Sequence, residues 1–88
     1  MKQLRFDTVT KNEEFDVIRQ MSMIPNVDMI LFTVKLQHNV TITVEICQID
    51  DSFSLIILDT FSQETLIDDI YFETFDSCLQ YVIEQCEL

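Results

Sequence analysis

The chain has no glycine, whereas about 7% of the residues of an average protein are glycine. Walker loops and dinucleotide-binding turns need glycine where the backbone closely approaches a phosphate. Neither site is therefore expected in its usual form. Tight two-residue hairpins also prefer glycine, because their backbone takes positive φ angles. Here those angles must come from asparagine and aspartate.

Basic residues are scarce, and none follows Lys35. The chain has five Lys and Arg residues against 16 Asp and Glu residues. Five of the acids share the first 35 positions with all five bases, so residues 36–88 carry the whole net charge of −11. Surfaces that bind DNA or RNA neutralise phosphates with Lys and Arg, so we expect no direct contact with nucleic acid. Acidic surfaces attract basic surfaces instead.

Long apolar runs, paired cysteines and a second histidine are also missing. No purely apolar run exceeds four residues, and no signal-peptide core is present, so we expect a cytoplasmic protein without membrane contact. The single His38 falls in a predicted turn, and no acid has a context that favours burial, so no catalytic residue is assigned. Three cysteines without CxxC spacing are expected to be reduced and mostly buried, with no metal site and no cofactor.

The residues that are present predict a folded domain over positions 1–88. Hydrophobic residues make up 48% of the chain, and eighteen Ile and Val residues favour β-sheet. Strands are predicted at 27–36, at 40–49, where apolar and polar residues alternate, and at 53–58, which is apolar on both faces; a weak alternation predicts a short strand at 2–8. Residues 66–72 fit either a fourth meander strand or an irregular arm, because Asp68 and Asp69 are unfavourable inside a strand.

Two helices flank the predicted sheet. The first begins with a capping box of Thr10 and Glu13 and ends at Pro25-Asn26. Its apolar stripe is predicted to contain Phe15, Val17, Ile18, Met21 and Ile24. The second runs from Phe75 to about Cys86 with Thr74 as its cap, and its apolar face has helical spacing. The fold class is therefore α+β, a two-layer antiparallel meander of three to four strands with one helix before it and one after it.

Aromatic residues are predicted to lie in the core, because they have no basic neighbours with which to form a stacking groove for bases. They include Phe53, Phe61, Tyr71, Phe72, Phe75 and Tyr81.

The acidic residues of the back segment are the candidate functional residues. The bland explanation is that they keep a small apolar protein soluble and guard sheet edges. Solubilising surfaces usually mix both signs, however, and this segment has only one. The predicted strand at 40–49, the loops, the 66–72 segment and the start of the last helix supply the predicted partner-binding residues, which are Glu45, Asp50, Asp51, Asp59, Glu64, Asp68, Asp69, Glu73 and Asp76.

In size, acidity and α+β pattern, the chain resembles the small acidic inhibitors made by bacteriophages and mobile elements. These include inhibitors of CRISPR nucleases and DNA mimics that inhibit uracil-DNA glycosylase or restriction enzymes. The resemblance implies a non-catalytic protein, acting in the cytoplasm of a bacterial host, that presents a nucleic-acid-mimicking acidic face to the basic groove of such an enzyme. An anti-CRISPR protein that acts on a CRISPR nuclease is the leading expectation.

Two alternatives remain open at this point. One is an immunity protein or antitoxin that neutralises a basic nuclease toxin. The other is a structural or assembly protein that self-associates, for example as a homodimer, through an apolar surface. Charge-driven binding weakens steeply with salt, whereas apolar self-association does not, so salt dependence separates these classes.

Overall fold

The computed structural model describes residues 3–21 and 27–88 and shows an α+β fold, with two helices on one face of a five-stranded sheet. The sheet order follows the chain order. The strands are β1 (Gln3–Arg5), β2 (Met29–Lys35), β3 (Thr41–Ile49), β4 (Ser52–Asp59) and β5 (Thr65–Phe72). The helices are α1 (Phe15–Met21), which follows a 3-10 turn at Asn12–Glu14, and α2 (Phe75–Cys86).

The sheet is mixed, because β1 runs parallel to β2 while all later neighbours are antiparallel. Parallel neighbours need a crossover connection of a dozen or more residues. The segment that contains the 3-10 turn and α1 is that connection. The predicted meander is thus confirmed for β2 to β5, and the weak N-terminal strand is confirmed in a shorter form with a parallel partner.

The core lies between the helices and one face of the sheet. Alternate residues of β2 and β3 are buried in it, as the alternation at 40–49 predicts for β3, and β4 buries Ser54, Leu55 and Ile57. Phe15 of α1 packs edge-on against Phe32 of β2, with 6.2 Å between ring centroids. Phe75 of α2 packs in the same way against Phe53 of β4, at 6.0 Å. Each helix therefore covers its own part of the sheet.

Helix α2 forms as its sequence predicts. The Thr74 hydroxyl oxygen accepts a hydrogen bond from the Ser77 backbone N–H at 3.1 Å, which satisfies one of the free amides of the first turn. Its buried positions are Cys78, Leu79, Val82 and Cys86. Burial raises the pKa of the Cys78 thiol to about 12 and that of Cys86 to about 11, so both cysteines behave as apolar core residues.

The start of the first helix differs from the prediction in two details. Glu14, rather than Glu13, reaches back to Thr10, accepting its hydroxyl at 2.8 Å and its backbone N–H at 3.3 Å. The intervening 3-10 turn shifts the partner by one residue. Val17 was predicted in the apolar stripe, but it is 56% exposed, because α1 buries only a narrow stripe around Phe15 and Ile18. The predicted helix end at Pro25-Asn26, and Ile24, lie outside the described residues.

Residues 66–72 form a strand, which settles the choice between strand and irregular arm. The pairing of this strand with β4 has two irregularities, and one of them accommodates the acids that are unfavourable inside a regular strand. Between the pairs Leu55–Ile70 and Ile57–Ile67, β5 has two residues, Asp68 and Asp69, where β4 has one. Asp69 takes the left-handed conformation at φ 50°, which aspartate tolerates better than most residues.

Candidate partner-binding surface

The charge split of the sequence becomes a split in space. Because the sheet order equals the chain order, the bases of β1 and β2 and the acids of β5 lie towards opposite edges of the sheet. Arg5 is on β1 and Lys35 ends β2, whereas β4, β5 and α2 contain no Lys or Arg. Neighbouring strands are about 4.8 Å apart, so β2 and β5 are separated by roughly 14 Å. The β4–β5 edge of the sheet therefore carries acids and no basic residue of its own.

Strand β5 forms the outer edge of this side and has acids at both ends and in the middle. We call Glu64, Asp68, Asp69 and Glu73 the acidic edge. All four are exposed. Charged residues and bulges are the usual protection of an edge strand against unwanted pairing, and this edge has both.

The nine predicted residues divide into three groups along the strands. At one end of the sheet, Asp50 and Asp51 form the β3–β4 turn. Phe72 pairs with Phe53, so the chain leaves β5 at Glu73 beside that turn, and Asp76 follows in the first turn of α2. Asp59 and Glu64 lie at the other end, about 25 Å away for a strand of eight residues.

The middle group, Glu45, Asp68 and Asp69, lies along the face that the helices leave open. Glu45 pairs with Ile56 across to β4, and the Asp68-Asp69 bulge lies opposite the same Ile56. Both Glu45 and Asp69 act electrostatically on Cys47, the half-buried cysteine of this face. Burial raises the pKa of the Cys47 thiol, and the negative charges of these two acids raise it further.

The third group is organised by Asp59. Its carboxylate oxygen Oδ1 accepts the backbone N–H groups of Phe61 at 3.0 Å and Ser62 at 2.9 Å. Hydrogen bonds from Ser62 and Phe61 hold the pKa of the Asp59 carboxyl below its ordinary value. Asp59 thus shapes the β4–β5 loop, while Glu64 at the end of that loop remains exposed.

Asp76 is partly neutralised within the protein. Its carboxylate oxygen Oδ1 lies 2.9 Å from Nε of Arg19, which also contacts Asp16 at 3.5 Å. We therefore expect Asp76 to contribute less negative charge to an acidic surface than an acid without a basic partner would.

The open face is a feature that the sequence analysis missed. Within residues 3–21 and 27–88, no element covers the side of the sheet opposite the helices. Half-exposed apolar residues there include Met29, Leu31, Ile56 and Leu58, with exposed Tyr71 near the edge. The alternation of apolar and polar residues in β3 was a signal for one solvent-exposed face. It did not show that this face carries both apolar and acidic residues.

Two of the aromatics that were predicted in the core are exposed. Phe61 is 79% exposed in the β4–β5 loop and Tyr71 is 58% exposed. Phe72 and Tyr81, by contrast, pack against each other with ring centroids 5.4 Å apart. Phe61 lies in a predicted loop between two acids, and that context was the available signal for its exposure.

In the part of the chain that the structure describes, no group of three or more His, Cys, Asp or Glu side chains is placed to hold a metal ion. Among the helices of the same residues, none is long and apolar enough to cross a membrane.

A scan against protein-family models and searches of curated proteins and solved structures found no match to this chain.

Proposed function

We propose that this protein is a non-catalytic inhibitor that binds a nucleic-acid-processing enzyme. Its acidic edge and the neighbouring Asp50-Asp51 turn occupy a basic groove in place of nucleic acid. A CRISPR nuclease of a bacterial host is the leading target, as the resemblance to small phage inhibitors implies. The single observation that supports binding to a basic partner is the placement of β4 and β5, one whole edge of the sheet, without a Lys or Arg residue.

Charge complementarity supports this mode of binding. Exposed acids of one sign repel one another and lower the stability of the isolated protein. A basic groove that evolved for phosphates relieves that repulsion and steers the encounter. The charges of the central residues are accessible to a partner without local unfolding, because all four are exposed: Asp50, Asp51, Asp68 and Asp69.

The experiment compares two variants with the same net charge. The site variant combines Asp50→Asn, Asp51→Lys, Asp68→Lys and Asp69→Asn; asparagine is used where φ is positive, because it tolerates that conformation. The control variant combines Asp7→Asn, Glu13→Lys, Glu84→Lys and Glu87→Asn, all exposed and outside the predicted surface. Each set removes six negative charges, so both variants go from −11 to −5 (−11 + 6 = −5).

Binding is measured against purified CRISPR nucleases with and without guide RNA, a restriction enzyme, a uracil-DNA glycosylase and a basic nuclease toxin. We expect the parent and the control variant to bind at least one of them, and the site variant to bind at least tenfold more weakly. Binding of the parent should weaken steeply as salt is added. Equal affinity of the site variant and the parent, or binding that salt does not change, would contradict the proposal.

The open face supports self-association as a second candidate function. Leu31 and Ile56 lie on either side of Glu45 on that face, and all three are half-buried. Apolar association should strengthen or stay constant with salt. Sedimentation analysis at low and moderate ionic strength distinguishes this candidate, because a salt-resistant dimer is expected only from it.

A further inference from the structure

Phe61 is the most exposed large apolar side chain in the described part of the chain. It is 79% exposed, whereas Tyr71 is 58% exposed and Val17 56%. It lies in the loop between β4 and β5, at the opposite end of the sheet from the Asp50-Asp51 turn. An aromatic ring exposed to this extent contributes almost nothing to the stability of the protein's own core.

The loop around Phe61 is highly organised. The Asp59 carboxylate accepts hydrogen bonds from the backbone N–H groups of Phe61 and Ser62. The Asp59 backbone also forms hydrogen bonds with the last two residues of the loop, Gln63 and Glu64. Its carbonyl accepts the Gln63 N–H at 2.9 Å, and its N–H donates to the Glu64 carbonyl at 2.8 Å. Gln63 holds a positive φ of 64° to close the loop, although no glycine is available for this.

Thr60 joins the same loop to the sheet. Its backbone N–H donates to the Thr41 carbonyl at 2.9 Å, and its hydroxyl lies 2.9 Å from the Thr43 hydroxyl. The Gln63 side-chain amide donates to the Thr60 carbonyl at 2.7 Å. The residues on both sides of Phe61 are therefore fixed, and the ring projects from a rigid support.

We propose that Phe61 is a binding anchor that inserts into an apolar pocket on a protein partner. Buried aromatic residues supply much of the energy of protein interfaces, and a rigid loop avoids the entropy cost of ordering on binding. Asp59 and Glu64 flank the ring, so the pocket that fits it has basic residues on its rim. Phe61 can act as an anchor whether or not the acidic edge contacts a basic groove. Only the identity of the partner rests on the proposed function.

Insertion into a lipid surface fits the loop less well. An exposed aromatic ring is suited to a bilayer interface, but the negative charge of the whole protein repels anionic headgroups. Burial against a second copy of this chain would bring Asp59 and Glu64 towards another acidic surface. A basic protein pocket has neither disadvantage.

The chain has no tryptophan, so Phe61→Trp creates a single fluorescent reporter at the proposed anchor. Its emission is followed during titration with the purified panel named above, with anionic vesicles, with zwitterionic vesicles and with the protein itself. We expect a blue shift and protection from acrylamide with a panel protein only. A shift with vesicles or on self-titration alone, or no shift with any probe, would overturn the proposal.

The affinity of Phe61→Ala for the same panel protein is the second measurement. Val17→Ala is its matched control, because Val17 is also an exposed apolar residue but lies on α1. We expect Phe61→Ala to dissociate faster and to bind about 30-fold more weakly at low and at moderate salt, as is typical of an aromatic hot spot. Val17→Ala should bind like the parent.

The two proposals fail in different ways. If Phe61→Ala weakens binding while the Asp50/Asp51/Asp68/Asp69 variant does not, the anchor stands and the acidic groove contact is wrong. If the opposite pattern is found, the acidic contact stands and the anchor is wrong. Salt dependence provides the same separation, because screening acts on the charges and not on the apolar contact.

Discussion

Nε of Arg19 on α1 lies 2.9 Å from the carboxylate oxygen Oδ1 of Asp76 on α2. This contact joins the charge-balanced front of the chain to its acidic back. Helix α1 thus supplies the basic side chain that partly neutralises Asp76, one of the nine predicted partner-binding residues.

The Arg19–Asp76 pair should contribute little to stability. Both side chains are substantially exposed, at 39% and 73%, so solvent screens their attraction. A double-mutant cycle of Arg19→Gln and Asp76→Asn should give a coupling free energy of at most about 1 kcal/mol. Urea unfolding at low salt measures it. Coupling well above that value, or coupling unchanged by added salt, would show that the pair is more buried than its exposure indicates.

The Asp59 carboxylate should make the β4–β5 loop sensitive to acid. Its pKa is lower in the folded protein than in the unfolded chain. Its stabilising hydrogen bonds are therefore fully present above the unfolded-state pKa and are lost as pH falls through the folded pKa. In an NMR titration, the Phe61 and Ser62 amide signals should move together at a pH below the ordinary range of aspartate.

Asp59→Ala is the matched test of that loop, because it removes the acceptor of both amides while leaving the backbone pairs of Asp59 in place. Amide exchange at Phe61 and Ser62 should accelerate, and their low-pH transition should disappear. A transition that persists unchanged in the variant would assign it to another carboxyl group.

Cys47 offers a direct measure of whether Glu45 and Asp69 meet on the open face. Negative charges near a thiol disfavour the thiolate, which is the reactive form. Iodoacetamide is uncharged, so its rate reports the thiolate fraction without an attraction or repulsion of its own. Glu45→Gln and Asp69→Asn should each increase the rate of Cys47 alkylation, while Asp50→Asn, a change of equal charge at the end of the sheet, should not.

The other two cysteines provide an internal control in that experiment. Cys78 and Cys86 are buried, and burial raises the pKa of both thiols far above neutrality. They should be alkylated only after unfolding. Rapid labelling of Cys78 in the native protein would contradict the packing of α2 on the sheet.

Local signals explain which parts of the fold were predictable. The Thr74 cap and the helical spacing of its apolar face lie within α2 itself, and the alternation in β3 lies within one strand, so both elements were predicted with nearly correct bounds. The parallel pairing of β1 depends on a partner strand more than twenty residues away. The sequence of β1 does not indicate whether this strand pairs in a parallel or an antiparallel direction. The exposure of Val17 likewise depends on how α1 sits on the sheet.

The candidate surface was predictable in composition but not in geometry. The meander order was enough to place residues 36–88 on one side of the sheet. Because Asp50 and Asp59 flank the predicted strand at 53–58, their placement at opposite ends of the sheet was predictable as well. The meander order did not show that the Asp68-Asp69 bulge lies opposite Ile56, the partner of Glu45. Nor did it separate Asp59, which organises a loop, from Asp68, which is exposed on an edge. Those distinctions depend on hydrogen bonds and register, which residue types alone do not specify.

Glu87 should be a position where a single substitution stabilises the protein. It ends α2 in the left-handed conformation, at φ 50° and ψ 45°, and its N–H donates to the Ile83 carbonyl at 3.3 Å. Glycine is the preferred residue for this cap, and a negative charge is unfavourable at the carbonyl end of a helix. Glu87→Gly removes both penalties, so the free energy of unfolding should rise by about 1 kcal/mol.

Urea unfolding of three variants separates the two contributions at Glu87. Glu87→Gln removes only the charge, and its gain should be a few tenths of a kcal/mol. Glu87→Ala removes the charge but keeps the cost of a left-handed non-glycine residue, so it should resemble Glu87→Gln. If Glu87→Gly is no more stable than Glu87→Gln, the left-handed cap is not populated in solution. The chain would then tolerate the absence of glycine at this position without strain.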